Sequence, residues 1–97
     1  MKVRFTRPAE ADLEEIIQAI AEEDPDRAAE LLDQLEDAAE ELSEFPERCP
    51  VVEGTSLNGV RKSVRPYLLF YRLVPGEVQI LRLAHERSDW VAVVARL

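Results

Sequence analysis

Tyr67-Leu68-Leu69-Phe70-Tyr71-Arg72-Leu73-Val74 is the stretch on which the fold of this chain turns. Only Arg72 interrupts its apolar character, so alternate residues give two apolar faces instead of one. A strand covered on one side alternates apolar with polar residues, whereas a strand covered on both sides does not. The stretch therefore reads as a central strand with something packed on each face. Val60–Val64 before it and Val78–His85 after it also run with a period of two. Arg65-Pro66 and Pro75-Gly76-Glu77 supply the turns. The three strands form an antiparallel meander.

The cover for the first face lies upstream. Lys2-Val3-Arg4-Phe5-Thr6 alternates and predicts a short strand. Pro8 then opens a helix on which Leu13, Ile16, Ile17 and Ile20 make one apolar stripe. Asp24-Pro25 ends that helix and starts another, with Asp24 as N-cap and Pro25 in the first turn. Ala28, Leu31, Leu32, Leu35, Ala38, Ala39, Leu42 and Phe45 carry the second stripe as far as Pro46. So short a connection makes the two helices an antiparallel hairpin. Residues 46–59, with Pro46, Pro50, Gly54 and Gly59, read as a long loop. For the second face two covers are open: the chain's own Trp90 to Leu97, or a partner chain.

Composition bounds the function. The chain has 97 residues, enough for a single domain over 1–97, and a net charge of -8. Its charge is divided unevenly. Residues 1–50 carry five Lys/Arg against sixteen Asp/Glu, while residues 51–97 carry seven against four. The excess of acid argues against direct binding of free nucleic acid, and the basic second half suits an acidic partner. Charges at the start of the chain stand where a signal peptide needs an unbroken apolar stretch, so none is expected, and no apolar run is long enough for a membrane helix. Cys49 is the only cysteine and His85 the only histidine, which leaves no internal disulfide and no ordinary zinc site. A cytoplasmic protein with no metal and no cofactor is expected.

The order strand, helical hairpin, long loop, three-stranded meander is similar to that of the RelE/ParE toxins. The residues resemble the family too. Val3-Arg4-Phe5-Thr6-Arg7-Pro8-Ala9-Glu10-Ala11-Asp12-Leu13 looks like its first strand and helix start, where an Ala-x-x-Asp-Leu step is common. Gly59-Val60-Arg61-Lys62, Tyr67-Leu68-Leu69-Phe70-Tyr71-Arg72 and Val78-Gln79-Ile80-Leu81-Arg82-Leu83-Ala84-His85 resemble its central motif. Arg87, Asp89 and Trp90 follow as in the ParE side of the family. The resemblance implies an α+β fold in the order β-α-α-β-β-β, a helical hairpin packed on an antiparallel sheet, and a short C-terminal segment. It further implies the toxin of a type II toxin–antitoxin system, silenced by a ParD-like antitoxin. ParE-like members poison DNA gyrase, and RelE-like members cleave messenger RNA in the ribosome.

Cleavage by a ribose 2′-hydroxyl needs a base, an acid and a cation at the phosphate. Arg61, Lys62, Arg65 and Arg82 offer cations, and His85 is the one side chain that ordinarily titrates near neutrality. A nuclease would thus use Arg61, Arg65, Arg82 and His85. Glu86 stands where several ribosome-dependent members have Tyr, and a carboxylate there repels the RNA backbone. A lone His at a strand end is usually a surface residue, and Tyr71 in mid-strand reads as packing. An acidic chain suits a protein target better than ribosomal RNA. Gyrase poisoning is the favoured expectation, with no catalytic residues. Arg61, Arg65, Arg72, Arg82, His85, Arg87 and Trp90 are then contacts to antitoxin or target. A ribosome-dependent nuclease is the alternative, and a non-toxic member that only binds antitoxin is the second.

Overall fold

A computed structural model describes residues 1–44 and 59–97, with side chains for 1–44 and 64–97. Phe45 and the expected loop lie outside the described residues, except that Gly59, expected in that loop, opens a strand. The elements are β1 (Lys2–Phe5), α1 (Arg7–Ala21), α2 (Pro25–Glu44), β2 (Gly59–Val64), β3 (Tyr67–Val74), β4 (Glu77–His85) and α3 (Trp90–Val94). The four strands make one sheet in the order β1-β4-β3-β2. An α+β architecture with the helical hairpin on the sheet is as the sequence reading had it. One part of that reading needs correcting. The meander is antiparallel, but β1 joins it parallel to β4, so the sheet is mixed. Parallel strands require a long crossover between them, and the whole hairpin lies in the chain between β1 and the meander.

Local chemistry sets the ends of the helices. The Thr6 hydroxyl oxygen accepts the Ala9 N–H at 3.4 Å and lies 3.1 Å from the carbonyl oxygens of both Ile80 and Leu81. It thereby caps α1 and pins that cap to β4. The Asp24 carboxylate accepts the Arg27 N–H at 3.0 Å, which caps α2 as its position before Pro25 predicts. At the β3–β4 turn, the pairing of Val74 with Glu77 leaves only Pro75 and Gly76 to reverse the chain. Gly76 sits at φ +75°, a conformation that an L side chain resists.

The sheet is packed on both faces. Leu31, Leu35, Ala38, Ala39 and Leu42 of α2 pack with Leu69, Tyr71, Val78, Ile80 and Leu83 in the main core. Leu13, Ile16, Ile17 and Ile20 of α1 join them partly buried. On the opposite face Leu68, Phe70 and Leu81 are covered by Trp90 and Val94 of α3. The chain's own C-terminal segment is thus one of the two expected covers. A β-bulge interrupts the β3–β4 ladder. Phe70 pairs with Arg82 and Tyr71 with Ile80, so Leu81 is an extra residue on β4.

Candidate functional site

The bulge decides what the residues at the end of β4 can do. Just beyond it the pairing of β4 with β1 has ended at Phe5–Ile80, and the N–H of Leu83 takes its acceptor from a helix instead. Asp12, on the sheet-facing side of α1, accepts it at Oδ2 with an N···O distance of 3.0 Å. The same carboxylate takes Arg82 in a two-pronged grip, Nε to Oδ2 at 2.6 Å and Nη2 to Oδ1 at 3.0 Å. The two side chains are 15% and 32% exposed respectively. Hydrogen bonding to Asp12, supported by its charge, raises the pKa of Arg82 above the ordinary arginine value. Arg82, counted among the cations for a phosphate or a partner, is therefore occupied inside the domain.

His85 ends β4 half-buried, with its ring edge-on to Tyr67 at 5.5 Å between centroids. Its Nδ1 accepts the Arg87 N–H at 3.1 Å, so in the neutral ring the proton sits on Nε2. Its carbonyl accepts the Ser88 hydroxyl at 2.6 Å, closing the turn into α3. Beside it runs a groove of about 410 Å³ between α1, the strand ends and α3, lined by Ile16, Ala19, Tyr67, Leu83 and Val93 among others. Arg65 lies in another place. It is exposed at the β2–β3 turn and lines a cleft of about 700 Å³ against α2, with Glu30, Asp37 and Glu41 on the opposite wall. Arg65 and His85 thus open into different clefts. The side chains of Arg61 and Lys62 lie outside the described residues.

The remaining expected contacts are arranged around the outer face. Arg87 is exposed, and Trp90 is half-buried with its ring against Phe70 at 5.4 Å between centroids, tilted by 30°. Arg72 is half-buried on β3, and its Nε is enclosed without a hydrogen-bond partner. Asp12 and Thr6, which hold α1 to β4, are the residues that sequence reasoning missed as a pair. Asp12 stood within the Ala-x-x-Asp-Leu step, yet among so many carboxylates nothing singled out its role.

These features define a class: a small α+β domain with a helical hairpin on a four-stranded mixed sheet and a short helix on the sheet's outer face. Residues 3–90 match the family described as the ParE toxin of type II toxin-antitoxin systems, parDE. The chain belongs to that family. The protein named "Putative toxin Y4kP" from Sinorhizobium fredii (strain NBRC 101917 / NGR234) is 30% identical over 100 residues, 96% of either chain. The solved structure titled "Chromosomal ParDE TA system from P. aeruginosa" has the same fold, with a TM-score of 0.75. It is 22% identical, and the match covers 88% of this chain and 95% of that one.

Proposed function

We propose that this chain is a cytoplasmic toxin that an antitoxin holds silent and that, when released, poisons DNA gyrase. The observation that carries the reading is the match to the ParE toxin family over residues 3–90. Two features of the chain support the gyrase branch over RNA cleavage. Arg82 is gripped by Asp12, so using it at a phosphate means breaking a two-pronged ion pair. A net charge of -8 opposes the approach of ribosomal RNA. Arg61, Arg65, Arg72, Arg87 and Trp90 are the contacts we assign to antitoxin or target.

Expression in cells without the antitoxin tests this. DNA synthesis should stop first, with a DNA-damage response, while messages stay intact. An early stop in translation with cut messages would establish the ribosome-dependent nuclease instead. Normal growth at confirmed expression would leave a family member that binds antitoxin without toxicity.

A further inference from the structure

The outer face of the sheet is only half covered. Residues 69 and 71 of β3 face the helical hairpin, so 68, 70 and 72 face outward. Helix α3 packs over Leu68 and Phe70, with Leu81 and Ala84 of β4. Arg72 lies one step beyond that cover. The ladder sets Arg72 opposite Gln79, and Gln79 opposite Arg4 of β1. Val3 and Phe5 pack into the main core, which turns Lys2 and Arg4 to the outer face. Lys2, Arg4, Gln79 and Arg72 thus form a strip across three strands.

Within this strip the charges are unequally satisfied. Glu77 accepts from Arg4 Nε at 3.0 Å and from the Gln79 amide at 2.9 Å. Arg72 has no ion pair among the described residues, and its enclosed Nε has no acceptor. The half-buried guanidinium thus carries an unpaired charge, and a guanidinium's terminal nitrogens fit a carboxylate. We propose that this strip is a docking surface for an acidic, partly apolar segment of a partner polypeptide, with one of its carboxylates seated on Arg72.

The chemistry favours a polypeptide over a nucleic acid. Glu77 stands within the strip and repels phosphates, as does the whole chain at -8. Large apolar side chains are also exposed among the described residues, at the start of the strip and on the C-terminal segment that covers the rest of the outer face. Met1 precedes β1 at 54% exposure, while Val91 of α3 and Leu97 beyond it are 59% and 40% exposed. A segment bearing both carboxylates and apolar groups matches both kinds of surface. The antitoxin is the occupant we assign, and that identity rests on the toxin–antitoxin reading above.

The test titrates the isotope-labelled full chain with a synthetic amphipathic peptide, glutamates along one face and leucines along the other. Amide shifts should centre on Lys2, Arg4, Arg72 and Gln79 and shrink as salt is raised. Arg72→Gln should weaken binding about tenfold or more, since a charge-assisted fork is lost. Its melting temperature should be unchanged or raised, because an unsatisfied group is removed. Lys2→Gln, at an exposed position, should give a smaller loss and serves if Arg72→Gln folds poorly. Equal binding of a glutamine-for-glutamate peptide, shifts centred elsewhere, no binding, or tighter binding of a single-stranded oligonucleotide at the strip would each overturn the site. With the cognate antitoxin in place of the peptide, Arg72→Gln should lose affinity to a similar degree. Unchanged affinity would remove the antitoxin as occupant. An antitoxin that fails to bind even the unmodified chain would defeat the functional reading, while the peptide result stands or falls separately.

Discussion

Asp12 makes three hydrogen bonds with one carboxylate, and each has a different consequence when lost. Asp12→Ala strands both the Leu83 N–H and the Arg82 guanidinium in a partly buried place. The expected cost is about 2–3 kcal/mol, the range for leaving such groups unpaired. Arg82→Ala removes the cation but leaves the Leu83 bond intact, so it should cost about 1–2 kcal/mol. Urea midpoints at unchanged slope measure both, and an inverted order would refute the role given to the Leu83 bond. Glu77 offers a second test. Its pKa is lowered from 4.5, first by the Gln79 hydrogen bond and then by Arg4. A depressed carboxylate contributes stability above its unfolded pKa and loses it as pH falls through the folded one. Carboxyl titration by NMR should therefore find Glu77 below the ordinary Glu range, and Gln79→Ala should return it upward.

The short helix α3 has only five residues and owes its place to packing, since so short a helix has little stability alone. Trp90 lies on Phe70, which is fully buried, and Val94 closes the same cluster. The expected result for the isolated chain is tryptophan emission short of the water-exposed maximum. Phe70→Leu should shift it to the red and cost about 1 kcal/mol, as a smaller side chain leaves the indole less contact. Emission unchanged by that substitution would mean that Trp90 does not depend on the sheet. The doubly apolar pattern of Tyr67–Val74 made this second cover legible in the sequence, and Pro8 and Asp24-Pro25 made both helix starts legible. The bulge at Leu81 was not. The bulge puts Leu81 and Leu83, two residues apart, on opposite faces of the sheet, a change of face that a strict period of two does not foresee. The parallel pairing of β1 was equally hidden, because alternation gives a strand's faces and not its direction.

For the molecule as a whole, the question is whether a histidine between two strands' ends performs proton transfer. His85 has Nδ1 engaged by the Arg87 N–H, and its ring meets Tyr67 edge-on. Of the cations a nuclease would use, Arg82 is held by Asp12, and Arg65 opens into a different cleft. Acid–base catalysis of RNA cleavage asks for these groups around one phosphate. Bringing them there requires breaking the Asp12 grip and moving the β2–β3 turn, whereas a protein that poisons gyrase by contact asks nothing of the ring's proton. His85→Ala should therefore leave growth inhibition intact within a few-fold, with purified chain still blocking gyrase supercoiling. Arg82→Ala should lower toxicity only as far as it lowers the folded fraction, which melting curves report independently. If His85→Ala instead costs about a hundredfold or more, the scale of a lost general acid or base, and message cleavage on programmed ribosomes falls with it, the gyrase reading is wrong. The fold and the family would still stand.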